Sequence, residues 1–195
     1  MARITYVKEI KNSTLLRLGI SEGEENANYT VSVQAYSAIG RPVRGDELEM
    51  GQMEEIRYSD SCYRAEKKAL SLLAFSDNSV RTLKRKLCER GFSREIAREC
   101  AEEMVRLGYI REDDQIERLI INEANSKFRG PGKIIPAIVN RGYSSSDVRR
   151  VLADLVERGE IDFRINRAKL IDKFGLDPSD IEEVKKLLFK NGYKV

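Results

Sequence analysis

The sequence of 195 residues has no histidine, no tryptophan and only three cysteines. Without an imidazole, the chain lacks the most common general base and the usual activator of a nucleophilic thiol. Cys62, Cys88 and Cys100 form no CxxC pair, so a zinc site would need carboxylates to complete its ligands. The composition therefore argues against an enzyme, a metal centre or a bound cofactor, and favours reduced, buried thiols.

Long hydrophobic runs are also missing. No apolar run approaches the roughly 20 residues that span a bilayer, and the opening MARITYVKEI has no apolar segment of a secretory signal. We therefore expect a cytoplasmic protein without membrane attachment. Proline contributes only 4 residues, whereas charged residues make up 34% and hydrophobic residues 41%. This composition is typical of a mainly helical chain that forms one elongated domain or two small ones.

Positive charge is concentrated in one part of the chain, although the net charge is only +3. Residues 1–60 contain 7 basic and 10 acidic residues. Residues 61–110 contain 11 basic and 7 acidic residues, which is an excess of positive charge. The excess indicates an acidic partner, but it is smaller than the basic surface of a dedicated duplex-binding protein.

The first forty residues have the pattern of short strands. Apolar runs at 4–10, 15–20 and 29–36 are separated by the turn Lys11-Asn12-Ser13 and by an acidic stretch, 21–28, which we interpret as a solvated loop. Asp46 is placed to cap a short helix that ends near Ile56. Residues 1–57 are therefore predicted to form a β-rich segment followed by a short helix.

From about residue 63 the sequence repeats. The segments RKLCERGF, PAIVNRGY and KLLFKNGY end at Phe92, Tyr143 and Tyr193, which gives spacings of 51 and 50 residues. Each copy predicts a helix whose apolar positions are four apart and which ends at a glycine in the left-handed conformation. Another helix precedes each copy, and a third, begun by Ser93 or Ser144, follows the first two.

The repeats define the predicted fold class, which is mainly α with tandem three-helix repeats and a small β-rich N-terminal segment. The predicted limits are 63–110, 111–161 and 162–195, with three, three and two helices, because the third repeat stops after its second helix. The apolar stripes predict core positions at Leu83, Leu87, Phe92, Met104, Ile120, Ile138, Tyr143, Leu152, Leu155 and Leu188. Pro136 falls inside a predicted helix, so either Gly130-Pro131-Gly132 is an ordered loop and the helix starts late, or the helix is kinked.

The repeated segments carry a family resemblance. AEKKALSLLA with LKRKLCERGF, then MVRLGYIREDDQIERLI, KFRGPGKI and the final KKLLFKNGY resemble the successive signatures of the RecX family, and GDELEMGQMEEI is similar to its N-terminal leader. The resemblance implies an elongated crescent that lies in the groove of the RecA filament. It implies a monomer that contacts RecA protomers and the single-stranded or duplex DNA within, and that restrains recombination, ATPase and co-protease activities.

Basic residues are the candidates for contacts with an acidic partner or with phosphates. The densest cluster comprises Arg81, Lys84, Arg85, Lys86, Arg90, Arg94 and Arg98, and all of these except Lys86 are candidates. A solvated face is an equally good interpretation, because Glu89, Glu95 and Glu99 lie close enough in sequence to pair with some of them. Further candidates are Lys127, Arg129, Lys133, Arg149 and Arg150.

The segment from Lys127 to Lys133, KFRGPGK, is not a Walker A sequence, and an inter-helix loop is the better interpretation. The alternative function is a stand-alone helical DNA-binding module, since short helices joined by tight glycine turns resemble helix-turn-helix units.

Overall fold

The computed structural model describes residues 1–194. The strands are β1 (Ala2–Glu9), β2 (Leu15–Glu22), β3 (Glu25–Ser32) and β4 (Glu47–Leu48). The helices are α1 (Val33–Ala38), α2 (Met50–Phe75), α3 (Val80–Cys88), α4 (Arg94–Arg106), α5 (Glu112–Ile121), α6 (Pro131–Val139), α7 (Ser145–Glu157), α8 (Phe163–Lys173) and α9 (Ile181–Lys190), with a π-helical turn at Asn122–Ser126. None of the helices described within 1–194 is long and apolar enough to cross a bilayer.

The chain packs as two compact units. The first contains residues 1–74 and 86–101, and the second contains residues 75–85 and those from 102 onward. The order of helices after residue 63 confirms the predicted arrangement of three, three and two. The predicted fold class, mainly α with a small N-terminal sheet, is therefore correct. The predicted limits of the individual repeats stay a prediction.

The first unit contains an antiparallel sheet of strand order β3-β2-β1-β4. Side chains alternate along β1, so that Ala2 and Ile4 are buried while Arg3 and Thr5 are exposed. One sheet face is apolar and packs with the first part of α2 through Met53 and Ile56. The burial of this apolar face against a helix removes it from water and so stabilises the sheet.

Two of the sequence predictions for this sheet are wrong. The stretch 21–28 is a tight hairpin and not a loop, because Glu22 pairs with Glu25 and only Gly23 and Glu24 lie between the strands. The strand predicted at 29–36 ends at Ser32, whose hydroxyl accepts a hydrogen bond from the Ala35 amide at 3.0 Å. A serine that caps α1 in this way overrides the period-2 pattern that continues through Val33.

The short helix predicted to end near Ile56 is also wrong, because α2 continues unbroken through Phe75. No glycine or proline lies between Ile56 and Tyr63 to end the helix. Asp46 does not cap it either, since its carboxylate accepts a hydrogen bond from the Val43 amide at 2.8 Å. The first and second predicted segments therefore share one helix.

The second unit has an apolar core built by α5, α6 and α7. Ile116, Ile120, Ile138 and Leu155 are almost completely buried there. The Tyr143 hydroxyl donates a hydrogen bond of 2.8 Å to the side-chain oxygen of buried Gln115, which satisfies both polar groups. Every predicted core residue is buried except Phe92, which is half-buried.

The structure shows how helix α6 accommodates Pro136. Helix α6 begins directly at Pro131, with Gly130 as its N-cap, and includes Pro136. Proline suits the first helical position, because its missing N–H would have no partner there. Gly130-Pro131-Gly132 is therefore the start of the helix rather than a separate loop. Pro136 in turn has no N–H to donate to the Gly132 carbonyl, four residues earlier.

Candidate functional site

One surface cavity of the first unit is lined almost entirely by cations. It has a volume of about 510 Å³ and is lined by Arg64, Lys67, Lys68, Arg90 and Phe92. The three residues from α2 are spaced i, i+3 and i+4, which places them on one face of the helix. No carboxylate is among the described residues that line this cavity. We call these five residues the basic groove.

The turn after α3 brings Arg90 and Phe92 into the basic groove. Gly91 has a φ of +88°, and the Phe92 amide donates a hydrogen bond of 3.3 Å to the Leu87 carbonyl. This arrangement ends the helix with a left-handed glycine and folds the following aromatic back toward it. The Phe92 ring is therefore half-buried and lines the basic groove, instead of lying in the core as predicted.

The four cations of the basic groove are exposed, and their contacts are weak. The Lys67 ammonium lies 5.3 Å from the centre of the Tyr63 ring, and Arg64 is 3.9 Å from Asp60. Arg90 donates a hydrogen bond of 2.7 Å to the Lys86 carbonyl. Such contacts orient the cations without neutralising most of their charge, so an anion can still bind.

The carboxylate of Glu99, on α4, is engaged by Tyr58 and Arg98. It accepts a hydrogen bond of 2.6 Å from the Tyr58 hydroxyl and lies 3.6 Å from the Arg98 guanidinium. The hydrogen bond to Glu99 raises the pKa of Tyr58 well above that of a free tyrosine. Arg98, a candidate from the sequence, therefore already has a partner on its own helix.

The other candidates of the basic cluster are spread along α3 and α4. Arg81, Arg85 and Arg94 are exposed, and Lys84 is half-buried. Of the six candidates in the predicted cluster, Arg90 is the one that lines the basic groove. The structure thus brings together Arg90 with three cations of α2 that the sequence interpretation did not include.

Two of the later candidates have a structural role in the second unit. Lys127 and Arg129 both donate hydrogen bonds to Glu123, whose side chain is only 5% exposed. Burial alone would raise the pKa of Glu123, but the bonds from the two cations outweigh it and hold the pKa below its ordinary value. Glu123 lies in the π-helical turn, so this ion triad fixes the chain between α5 and α6.

Glu123→Gln is expected to lower the free energy of unfolding at pH 7 by about 1–3 kcal/mol, because it removes two charge-assisted hydrogen bonds at a buried site. The depressed pKa means that the stabilisation is present above the unfolded-state pKa of about 4.3 and is lost as the pH falls through the folded-state pKa. The difference between the variant and the unaltered protein should therefore shrink on acidification. Urea unfolding from pH 7 to pH 3 measures it, with the exposed Glu157→Gln as control. Equal effects of the two variants at pH 7 would contradict the structural role.

Arg149 and Arg150 differ in their surroundings. Arg149 is exposed and donates a hydrogen bond of 3.4 Å to the Ser145 hydroxyl. Arg150 lies 2.6 Å from Asp113 and also approaches Asp147 and Asp154, at 3.7 and 3.9 Å. Three carboxylates around one guanidinium reduce its attraction for a further acidic group.

The glycine-rich segment near Lys133 has no free amide donors for a phosphate. The Gly130 and Gly132 amides donate hydrogen bonds of 2.8 and 2.9 Å to the carbonyls of Asn191 and Gly192, and the Lys133 amide donates to the Gly130 carbonyl at 3.0 Å. The segment is thus docked on the turn after α9. This argues against a phosphate-cradling loop. The predicted inter-helix loop is correct only up to Gly130, because α6 already begins at Pro131.

Within 1–194, no group of three or more Cys, Asp and Glu side chains is arranged to hold a metal ion. Cys62 and Cys88 are half-buried and Cys100 is buried. Burial raises the pKa of the Cys62 thiol, which disfavours its reactive thiolate form.

Comparison with known proteins identifies the fold. No family model matches the sequence, and no curated protein matches it. A solved structure of a regulatory protein RecX is similar over 100% of this chain and 95% of that chain, with a TM-score of 0.72 and 17% identity. The structure of RecX from Lactobacillus salivarius matches 69% of this chain and 90% of that chain, with a TM-score of 0.59 and 16% identity. The resemblance to RecX found in the sequence is thus confirmed at the level of the fold.

Proposed function

We propose that this chain is a regulator of the RecX type, which binds the RecA recombinase filament and inhibits its recombination, ATPase and co-protease activities. The observation that carries the proposal is the fold similarity to a regulatory protein RecX along the whole chain. The family resemblance of the repeated segments supports it independently. The protein would act in the cytoplasm as a monomer that needs no cofactor, because its effect depends on binding rather than on chemistry.

The basic groove is the contact that we propose for the filament. Its cations would attract acidic protein surface or the phosphates of the bound DNA, and clustered charge of one sign accelerates such encounters. Phe92 would add apolar contact beside these cations, and aromatic residues that lose water on binding are among those that contribute most to affinity.

Replacing Arg64, Lys68 and Arg90 together by alanine is expected to raise the concentration needed for half-maximal inhibition of RecA-driven ATP hydrolysis about tenfold or more. The reason is the loss of three cations, and the variant should also depend less on salt than the unaltered protein. Folding should be nearly unchanged, because all three side chains are exposed. ATP hydrolysis on single-stranded DNA, titrated at low and moderate salt, measures the effect.

The matched control replaces Lys8, Lys11 and Arg17 by alanine. These exposed cations belong to the same unit but lie on β1, on β2 and in the turn between them, so the control removes equal charge without touching the basic groove. Inhibition curves that overlay for the groove variant and the unaltered protein would overturn the assignment of the basic groove. If both triple variants inhibit ATP hydrolysis equally weakly, the effect depends on the net charge of the protein and not on the basic groove.

A second candidate function is the stand-alone DNA-binding module. The observation that favours it is the aromatic ring of Phe92 among four cations, because single-stranded nucleic acid is commonly bound by cations that follow its backbone and rings that stack on its bases. The two functions differ in whether the recombinase is needed for tight binding.

A further inference from the structure

A second cavity, in the second unit, combines aromatic walls with positive charge. It has a volume of about 490 Å³, and its lining includes Lys133, Phe163, Arg167, Phe189, Tyr193 and Lys194. It lies beside the docked Gly130–Gly132 segment and the turn after α9. Neither the basic groove nor the proposed contact with the filament involves these residues.

One wall of the second cavity is rigidly built. The Phe163 and Tyr193 rings meet edge to face, with centres 6.1 Å apart and planes at 81°. Tyr193 is 3% exposed and donates a hydrogen bond of 3.0 Å to the Phe128 carbonyl. The Arg167 guanidinium lies 5.1 Å from the centre of the Tyr193 ring. This wall is therefore formed before any ligand binds, which lowers the entropic cost of binding.

Phe189 forms a different kind of surface. Its side chain is 74% exposed, although it belongs to the lining of the cavity. A large exposed aromatic beside a preformed apolar wall is the arrangement in which an interface buries an anchor side chain. The cavity is large enough for one such side chain and its flanking backbone.

The charged residues of the second cavity are all cations. Lys133, Arg167 and Lys194 contribute to the lining, and no Asp or Glu is among the described residues there. The Arg167 Nε–H is buried without a hydrogen-bond partner, and its Nη2 makes only a long bond of 3.3 Å to the Lys194 carbonyl. The guanidinium as a whole carries a full positive charge, and its outer N–H groups are strong donors to a carboxylate.

The second cavity fits carboxylates better than a nucleic-acid strand. The amides at the start of α6 already donate to the Gly130 and Gly192 carbonyls, so they provide no backbone cradle for phosphate. A strand also binds through successive exposed rings on which its bases stack. Of the three aromatic rings here, Tyr193 is buried under Arg167 and Phe163 is half-buried, which leaves Phe189 exposed.

We propose that the second cavity binds an acidic peptide segment of a partner protein, with one apolar side chain of the segment packed between Phe163 and Phe189. Carboxylates of the segment pair with Lys133, Arg167 and Lys194. The charge of the lining supplies specificity, and the aromatic wall supplies most of the buried apolar surface. The inference stands independently of the proposed action on the recombinase, because it involves other residues and any partner that exposes such a segment.

Fluorescence polarisation of a short labelled peptide, with a central Phe flanked by Asp and Glu, tests this proposal on the full chain. Phe189→Ala and Lys133→Ala are each expected to weaken binding about tenfold. Both residues are exposed, so the variants should fold normally. Phe174→Ala and Lys169→Ala are the matched controls, because they remove an exposed Phe and an exposed Lys outside the second cavity. Replacing the central Phe of the peptide by Gly should weaken binding to a similar extent.

Saturable binding that depends on Phe189, on Lys133 and on the central Phe supports the proposal. No saturable binding, or affinities that Phe189→Ala and Lys133→Ala leave unchanged, would overturn it. Binding that falls equally for the cavity variants and the controls would show general charge attraction and would also overturn it. If an oligothymidylate binds more tightly than the peptide, and its binding depends on Phe189, the ligand of the second cavity is single-stranded nucleic acid and the peptide proposal is wrong. A normal inhibition of the recombinase by Phe189→Ala would leave the function proposed for the basic groove intact.

Discussion

Leu155→Ala is expected to lower the free energy of unfolding of the second unit by about 2–5 kcal/mol. Leu155 is 0% exposed and packs in the core formed by α5, α6 and α7. Truncation removes buried apolar surface and leaves a cavity, because close-packed helices relax only partly around it. Urea unfolding followed by circular dichroism measures the loss, and an unchanged dependence on denaturant would show that the unfolded state is the same.

Val156→Ala is the matched control for this prediction. Val156 is the next residue of α7 but is 44% exposed, and alanine has the higher helix propensity. Its effect should stay within about 0.5 kcal/mol. A loss below about 1 kcal/mol for Leu155→Ala would show that the apolar stripe of α7 does not pack in a core.

Gly192→Ala is expected to destabilise the second unit by about 2–5 kcal/mol. Gly192 has a φ of +85°, where an L-residue costs about 1–2 kcal/mol. An added Cβ would also overlap the Lys133 backbone nitrogen, and such overpacking costs about 1–3 kcal/mol more. The substitution would separate the turn after α9 from the start of α6. Thermal unfolding of the variant measures this effect.

Gly159→Ala separates the two causes. Gly159 has a similar φ of +74°, but an added Cβ would meet nothing within 4 Å. Its cost should therefore be only the conformational one, about 1–2 kcal/mol. Equal destabilisation by the two substitutions would contradict the close approach between Gly192 and Lys133.

The helical part of the fold could be predicted because its signals are local and occur repeatedly. Glycines at the helix ends and apolar positions four apart recur at Leu87, Ile138 and Leu188 in the same register, and all three are buried. The secondary structure of the N-terminal part was harder to predict, because it depends on single local contacts. Ser32 ends a strand that the period-2 pattern would continue. The acidic 21–28 stretch is paired only because a two-residue turn aligns its two halves.

The candidate site was only partly predictable for a similar reason. The i, i+3, i+4 spacing of Arg64, Lys67 and Lys68 places them on one helix face, but the sequence alone does not show that Arg90 lies beside that face. Glu123 carried a signal that the sequence interpretation missed. It follows Ile116 and Ile120 at helical spacing, so it lies on the buried side and needs the cations that it contacts.

Binding of the labelled full chain to single-stranded DNA, with and without an assembled RecA filament, tests the central claim most directly. Fluorescence anisotropy at low and moderate salt distinguishes a contact with the filament from simple attraction to phosphates, because phosphate binding weakens steeply as salt increases. We predict much tighter binding to the filament than to bare DNA, retained at moderate salt and accompanied by inhibition of ATP hydrolysis. Equal affinity for filament and bare DNA, with the same steep salt dependence and no effect on ATP hydrolysis, would contradict the proposed function and indicate a stand-alone DNA-binding module.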